Sequence, residues 1–372
     1  MSVRAMALPQ KAASPLHDRP SARRLLDLDW ILVIATLLLI GYGFVMGYSN
    51  TIEDRTFTGD IGQQLLRSML YAVIGLTVMA VVALVDHAWL GTLAPVFYLG
   101  TLALLAVVLV IGQSTLGATR WVTIAGFKFQ PSEFAKVFMV VVLAKWLADR
   151  DVRSPFTLAG ALALLAAPVA LVFKQPDLGT SFVFLGMFFG LAFIAGARLW
   201  HLTAIAAAGA AALPVVWGSL KEYQQARLTV FLDPYSDPQG AGWNIIQSLI
   251  AVGSGQLTGK GLTAGTQSPL GYLPIAESDF VFSGLAEDLG FVGALILFVL
   301  YTVLLLSALR IAHRSRDPFG TYLAGGIAAM LFFQIVVNVG MAVSLMPVTG
   351  IPLPFISQGG SSLISICFAL GA

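Results

Sequence analysis

Residues 29–48, DWILVIATLLLIGYGFVMGY, form a run of twenty residues whose one charge stands at its first position. Twenty helical residues rise about 30 Å, the thickness of the hydrocarbon core of a bilayer. Nine further apolar runs lie at about 67–86, 89–111, 132–148, 155–173, 179–196, 200–218, 289–311, 320–344 and 360–372. The sequence therefore predicts an all-α, polytopic membrane protein with about ten transmembrane helices.

The composition agrees with a chain that lies mostly in lipid. It is 58% hydrophobic and 11% charged, with a mean hydropathy of +0.85, whereas a soluble domain is usually about a quarter charged. The net charge of +2 comes from dispersed bases, which excludes nucleic acid as a partner. One cysteine, Cys367, allows neither a disulfide framework nor a thiolate metal site within one chain.

The two ends of the chain carry different signals. Residues 1–26 are polar, basic and proline-containing, and no small-residue cleavage site follows, so we predict a disordered cytoplasmic tail rather than a signal peptide. Residues 27–372 then form a single transmembrane domain. The last run, 360–372, rises only about 20 Å as a helix, so we expect it to continue past residue 372 in the native chain.

Lysine and arginine in the short loops orient the helices. With the N-terminus inside, the cytoplasmic side receives the tail and the clusters DRDVRS (149–154) and RIAHRSRD (310–317). The polar stretch 219–288, between the seventh and eighth helices, then becomes a large extracytoplasmic loop. Loops of this length are usually functional. Segment 346–360 is predicted to be a re-entrant loop on the same outer side, because its prolines and glycines exclude a regular helix.

Asp279 is the leading candidate for chemistry. It lies near the end of the long polar loop, between Ser278 and Phe280, where the chain becomes apolar again. Ionisable groups at a membrane boundary are costly and are usually functional. The alternative is an acid at a helix N-terminus that the helix dipole stabilises.

The motif QPSEFAK, residues 130–136, places two opposite charges one helical turn apart. Pro131 suits a first helical turn, Glu133 lies in that turn, and Lys136 follows on the same face. Two interpretations remain open: a structural ion pair that locks the helix, and a cavity wall next to a polar substrate.

Several other polar residues on the outer side have two interpretations each. The cations could be interfacial anchors or could bind an anionic phosphate; they are Arg120, Lys128, Arg227 and Lys260. Asp177 in QPDLGTS (175–181) could cap a helix or contact a substrate or metal. Ser357 and Gln358 could bind a sugar through neutral hydrogen bonds or belong to a rigid turn.

Motifs of several other enzyme classes are missing. GSGQLTGKG (253–261) lacks the first glycine and the final Ser/Thr of a phosphate-binding loop, and neither HExxH nor G-x-S-x-G occurs. The sequence therefore predicts neither a nucleoside triphosphatase nor a zinc protease nor a serine hydrolase.

The motifs in their order resemble the SEDS family of membrane proteins, the RodA/FtsW/SpoVE group. They are GATRWV (117–122), QPSEFAK (130–136), QPDLGTS (175–181), RLTVFLDPYSDPQGAGWNIIQSLIAVGSG (227–255), GKGLTAGTQSPLGYLP (259–274), SDFVFSGLAEDLGF (278–291), NVGMAVSLMPVTGIPLPF (338–355) and SQGGSS (357–362). QPDLGT and APVFY (94–98) are most similar to RodA. The run before Asp279, PIAES (274–278), departs from the family's usual P-E-x-H-T.

The resemblance implies a peptidoglycan glycosyltransferase that polymerises lipid II at the outer face of the bacterial cytoplasmic membrane during cell elongation. It implies Asp279 as the catalytic acid, here assigned as general base. The proposed substrate-binding residues are Arg120, Lys128, Glu133, Lys136, Arg227, Lys260, Ser357 and Gln358. A class B penicillin-binding protein is the implied partner, along with other membrane proteins of the elongation complex. No organic cofactor is expected, and a divalent cation (Mg²⁺ or Mn²⁺) could assist the departing pyrophosphate.

Transport is the competing class of function. A lipid II flippase, or another polyisoprenyl-lipid transporter, would also need many helices and the intramembrane charges of Glu133 and Lys136. The outer loop that bears Asp279 favours an enzyme, because a flippase needs no general base on one side of the membrane. A scaffold that only positions a penicillin-binding protein is a third possibility.

Overall fold

The computed structural model describes residues 28–53, 61–115, 118–124, 127–220, 222–240, 242–267, 272 and 278–372. The predicted cytoplasmic tail, residues 1–26, lies outside the described residues. Within the described ranges the protein is almost entirely helical, which confirms the predicted fold class.

Thirteen α-helices occur in the described part of the chain. They are α1 (Trp30–Glu53), α2 (Ile61–Ala83), α3 (His87–Thr92), α4 (Ala94–Ile111), α5 (Pro131–Ala148), α6 (Pro155–Lys174), α7 (Leu178–Ile194), α8 (Leu199–Ser219), α9 (Glu222–Leu232), α10 (Trp243–Ser254), α11 (Val281–Arg314), α12 (Pro318–Ala342) and α13 (Gly360–Gly371). A short 3₁₀-helix, Pro234–Ser236, follows α9. Each of the ten apolar runs folds as helix over most of its length.

Six of these helices are long and apolar enough to cross a membrane: α1, α2, α4, α6, α11 and α12. Helices α7, α8 and α13 are apolar but shorter, and α5 carries Glu133, Lys136 and Lys145. The count of about ten spans therefore stays a prediction. Helices α5 and α12 bury most of their side chains and lie at the centre of the bundle.

A small β-sheet between α4 and α5 was not predicted. Its strands β1 (Gln113–Thr115), β2 (Ala118–Ile124) and β3 (Phe127–Phe129) pair in the antiparallel order β1-β2-β3. Trp121 lies opposite Gln113, and Val122 lies opposite Phe129. Arg120 lies on the central strand β2, and α5 begins two residues after β3 ends.

The stretch predicted as the long outer loop, 219–288, is partly helical. Helices α9 and α10 lie within it, and α11 begins at Val281 rather than at 289. Residues 281–288, which include the acids Glu287 and Asp288, were assigned to the loop and are helical instead. The structure satisfies both acids with hydrogen bonds, and Gly290 (φ 64°) then kinks the helix where it becomes fully apolar.

The non-helical segment between α12 and α13, residues 343–359, is mostly buried only in its second half. Ile351, Leu353, Phe355 and Ile356 are inside the protein. Tyr301 of α11 donates a hydrogen bond to the Pro354 carbonyl at 2.6 Å. Buried backbone polar groups need partners within the protein, and this hydrogen bond supplies one. That segment 346–360 is a re-entrant loop stays a prediction.

Candidate functional site

Asp279 lies in the turn before α11, at the end of the bundle where α7 and α11 begin and α12 ends. Its Oδ1 accepts a hydrogen bond from Ser278 Oγ at 2.8 Å. Its backbone carbonyl accepts one from Asn338 Nδ2 of α12 at 3.1 Å. The carboxylate is thus presented by a turn whose backbone is fixed to a neighbouring helix.

The carboxylate of Asp279 and the guanidinium of Arg120 both lie next to Gly350. A Cβ atom at Gly350 would lie 3.1 Å from Asp279 Oδ2 and 3.3 Å from Arg120 Nη1. The backbone of Gly350 also has φ 69°, a conformation that favours glycine. Glycine at this position therefore keeps open the space that the acid and the cation share.

Asp177 is a second carboxylate next to Arg120. Its Oδ1 lies 3.7 Å from Arg120 Nη1. It also caps α7, because Oδ1 accepts a hydrogen bond from Thr180 N at 3.1 Å and Oδ2 accepts one from Thr180 Oγ1 at 2.8 Å. The helix-cap interpretation of QPDLGTS is confirmed, and the same residue also lies against the predicted phosphate-binding arginine.

Burial raises the pKa of the Asp279 carboxyl above its ordinary value. The Ser278 hydroxyl and the positive charges of Arg120 and Arg227 lower this pKa, and the negative charge of Asp177 raises it, with burial prevailing. A carboxylate with a raised pKa is a stronger base than an ordinary one, and perturbed pKa values cluster at functional sites.

A cavity of about 350 Å³ opens beside this cluster. Both Arg120 and Arg227 line it, with Thr349 on one wall and Leu178 and Phe182 of α7 on another. Asp279 lies just beyond this lining, against Gly350. Two guanidinium groups in the lining make the cavity suited to an anion.

The charges around Asp279 predict how the site responds to the loss of a cation. Replacing Arg120 with glutamine should raise the pKa of Asp279 further, because a positive charge that favours the carboxylate is removed. The Asp279 carboxyl should then titrate at higher pH, which an infrared titration of its carboxyl band would measure. Arg150→Gln is the matched control, since Arg150 stacks on Trp146 at the opposite end of α5. An unmoved titration in Arg120→Gln would contradict the electrostatic effect of Arg120 on Asp279.

Glu133 and Lys136 form a buried ion pair within the first turns of α5. Lys136 Nζ lies 2.8 Å from Glu133 Oε1, and the side chains are 2% and 1% exposed. Glu133 Oε2 has no hydrogen-bond partner among the described residues. The pairing agrees with the predicted helix geometry, and both interpretations, structural lock and cavity wall, remain open.

Lys260 lies in a network of its own. It donates hydrogen bonds to Glu287 Oε1 at 2.6 Å and to Thr266 Oγ1 at 2.8 Å. Glu287 also accepts from the backbone of Thr266 at 2.8 Å and of Gln267 at 3.2 Å. The buried carboxylate therefore fastens the segment after α10 to the first turns of α11, two turns beyond Asp279.

The Glu287 network predicts a local loss of structure. Glu287→Gln removes the charge of a carboxylate that accepts hydrogen bonds from Ser254, Lys260, Thr266 and Gln267, and should destabilise the protein by about 1–3 kcal/mol. Thermal unfolding would measure this loss, and hydrogen exchange should accelerate in residues 255–267. Asp149→Asn is the control, because its pair with Lys145 is largely exposed and should contribute about 0–1 kcal/mol. Equal effects of the two variants would contradict this role of Glu287.

The other three predicted substrate-binding residues have different surroundings. Lys128 lies on β3, opposite Thr123, and its exposed side chain makes no hydrogen bond or ion pair to the described residues. Ser357 Oγ donates to the Ser278 carbonyl at 2.5 Å and accepts from Leu353 N at 2.8 Å. Gln358 bonds to Gln64 of α2 and to the Gly47 carbonyl of α1. Ser357 and Gln358 line a second cavity, of about 510 Å³, between α1, α2 and the segment before α13.

The structure thus joins Asp279, Arg120 and Arg227 in one cluster and adds Asp177. Ser357 contacts the Ser278 carbonyl at the edge of this cluster. Gly350 and Asn338 were missed as site residues. Gly350 lies in a motif that the sequence marks only as a rigid loop, and Asn338 lies inside an apolar run. No local pattern in the sequence distinguishes either residue.

A divalent cation has few protein ligands at this cluster. Among the described residues, no group of three or more histidines, cysteines or acids is suited to hold a metal ion. Asp177 and Asp279 are the two carboxylates at hand, and Asp177 already caps α7. Mg²⁺ is often held by one or two carboxylates together with substrate phosphates. The cation therefore stays a prediction of the sequence, and the mechanism below does not use it.

Fold and site together define an integral membrane protein that holds a buried carboxylate and two guanidinium groups at one end of a helix bundle. Residues 29–372 match the sequence model FTSW_RODA_SPOVE, described as "Cell cycle protein". The chain is 39% identical over 365 residues to "Peptidoglycan glycosyltransferase MrdB" of Escherichia coli K12, covering 96% of each protein.

Two solved structures are also similar to this chain. A chain from "Structural coordination of polymerization and crosslinking by a peptidoglycan synthase complex" superposes with a TM-score of 0.77 at 36% identity, covering 93% of this chain and 96% of the other. The Thermus thermophilus rod shape determining protein RodA superposes with a TM-score of 0.69 at 31% identity, covering 93% and 95%. The chain therefore belongs to the FtsW/RodA/SpoVE family.

Proposed function

We propose that this protein is a peptidoglycan glycosyltransferase that polymerises lipid II into glycan strands. Its family membership and its 39% identity to a relative of that name support the activity. The observation that carries the assignment is the meeting of Asp279 and Arg120 across Gly350. A base and a cation side by side are what the transfer of a sugar from a pyrophosphate requires.

Asp279 is the general base in this mechanism. The 4-hydroxyl of one lipid II attacks the anomeric carbon of the growing strand, and its proton passes to the Asp279 carboxylate. The new glycosidic bond forms as the bond to the undecaprenyl pyrophosphate breaks, so the configuration at the anomeric carbon inverts. Ser278 holds the carboxylate from one side, which leaves Oδ2 facing Gly350.

Arg120 and Arg227 stabilise the departing pyrophosphate. Both line the cavity of about 350 Å³, and both act electrostatically on Asp279. Fixed cations aimed at the place where negative charge develops lower the barrier without reorganising during the reaction. Asp177 lies 3.7 Å from Arg120 and orients its guanidinium before the substrate arrives.

The active end of the bundle faces the outside of the bacterial cytoplasmic membrane in this proposal, with the N-terminus in the cytoplasm. The basic clusters 149–154 and 310–317 are at the opposite end of the bundle, after α5 and at the end of α11, which supports this orientation by the positive-inside rule. Similarity to MrdB and to RodA, the rod shape determining protein, supports a role in cell elongation and cell shape.

A class B penicillin-binding protein is the proposed partner. The match to a chain of a peptidoglycan synthase complex, described as coordinating polymerization and crosslinking, supports an assembly with a crosslinking enzyme. Other membrane proteins of the elongation machinery are further proposed partners. The lipid II substrate would approach laterally from the bilayer, because it carries a long isoprenoid chain.

Polymerisation of fluorescent lipid II by the purified protein with its penicillin-binding partner tests the proposal. Glycan ladders on a gel are the expected product. Vesicles carrying lipid II on one face test the flippase alternative. Translocation without polymer would replace the enzyme with a transporter, and absence of both activities where a relative polymerises would favour a scaffold.

A further inference from the structure

Asn338 connects two segments that form the candidate site. It lies in the last turns of α12 and is fully buried. Its Nδ2 donates a hydrogen bond to the Asp279 carbonyl at 3.1 Å and a second to the Ile351 carbonyl at 2.7 Å. The two acceptors come from non-helical segments that are far apart in the sequence.

The orientation of this amide is determined by its partners. Both hydrogens of the NH₂ group are used, one for each carbonyl. Rotating the amide by half a turn would place Oδ1 against two carbonyl oxygens, which are acceptors only. Oδ1 has no hydrogen-bond partner among the described residues, so Asn338 acts here through its donors alone.

Ile351 directly follows Gly350, the residue that lies between the acid and the cation. Fixing the Ile351 carbonyl therefore fixes the position of Gly350 relative to the Asp279 backbone. Ser357 supplies a second connection, because its hydroxyl accepts from Leu353 N and donates to the Ser278 carbonyl. The turn that bears Asp279 is thus tied to the segment 350–357 on both sides of the carboxylate.

We propose that Asn338 is a positioning residue for glycosyl transfer, which holds the Asp279 turn and the Gly350 segment at the separation that the reaction needs. The inference rests on the proposed function. Asn338 touches backbone only and takes no part in proton transfer. Its loss should therefore lower kcat while leaving the binding of lipid II nearly unchanged, because a displacement of about 1 Å can cost about 100-fold in rate.

Asn338→Leu tests this role, since leucine has nearly the same shape and donates no hydrogen bond. We expect kcat to fall about 30- to 100-fold, with KM for lipid II within threefold of the wild-type value. Hydrogen exchange should accelerate in peptides that cover 278–284 and 349–353. Asn338→Ser, which keeps one donor, should lose less activity than Asn338→Leu.

Gln334→Leu is the matched control. Gln334 lies one turn earlier on α12, is equally buried, and neither amide atom has a hydrogen-bond partner among the described residues. It should not accelerate exchange at 278–284 or 349–353. If Asn338→Leu and Gln334→Leu lose activity equally, or if Asn338→Leu keeps more than a third of the wild-type kcat, the positioning role is wrong.

The exchange measurement separates this proposal from the proposed function. If the wild-type protein fails to polymerise lipid II, the glycosyltransferase assignment fails. The connection made by Asn338 would still be supported by faster exchange in both segments, and it would be refuted by exchange that equals that of Gln334→Leu. Should Asn338→Leu not fold, the same comparison is made with Asn338→Ser.

Discussion

Asp279→Asn is expected to lower lipid II polymerisation by about 10²–10⁴-fold, the usual contribution of general-base catalysis. Asparagine has the shape of aspartate and can still accept the hydrogen bond from Ser278, but it cannot take up the proton of the attacking hydroxyl. Glycan synthesis from lipid II by the purified complex, at fixed enzyme concentration, would measure the loss.

The pH dependence sharpens this test. Because the pKa of Asp279 is raised, the wild-type carboxylate becomes protonated at a higher pH than an ordinary carboxyl as the pH falls. Activity should therefore decline on the acidic side as that pKa is passed. The residual activity of Asp279→Asn should lack this acidic limb, since no proton can add to the amide in that range.

Two variants control the experiment. Asp279→Glu keeps the charge but moves the carboxylate by one methylene, and should lose less activity than Asp279→Asn. Asp151→Asn removes one carboxylate from the loop between α5 and α6 and should retain normal activity. If Asp279→Asn polymerises within threefold of wild type while remaining folded and bound to its partner, Asp279 is not the base.

Most of the helices could be predicted from the sequence, because an apolar run of about twenty residues is stable in lipid as a helix. Every run between 29 and 372 folds as helix, since a helix satisfies its own backbone hydrogen bonds. The start of α11 was missed for the opposite reason. The predicted polar loop ended at Asp288, and only the folded chain brings Lys260 and Thr266 to Glu287 and Ser49 to Asp288.

The candidate site could be predicted only in part. Asp279 and Arg120 belong to motifs with expensive charges, so their residue types alone indicate a role. Gly350 and Asn338 matter because they lie next to residues that are remote in sequence. Asn338 lies 59 positions from Asp279, and no period or spacing within one helix encodes their hydrogen bond.

Lys136→Met is expected to be the most destabilising of the substitutions considered, at about 3–5 kcal/mol. It leaves the Glu133 carboxylate buried without its cation, in a place where Oε2 already has no partner among the described residues. Methionine fills nearly the same volume as lysine, so the cost arises from the uncompensated charge rather than from a cavity. Thermal unfolding in detergent would measure the effect.

The double variant Glu133→Gln with Lys136→Met separates the two interpretations of the pair. It removes both charges, so most of the lost stability should return, because neutral groups replacing a buried ion pair are often tolerated. If polymerisation also returns, the pair is a structural lock of α5. If stability returns and polymerisation stays at the level of Lys136→Met, the charges themselves serve the reaction and the cavity-wall interpretation holds. A double variant no more stable than Lys136→Met would show that the cost lies in packing, which contradicts the charge argument for both.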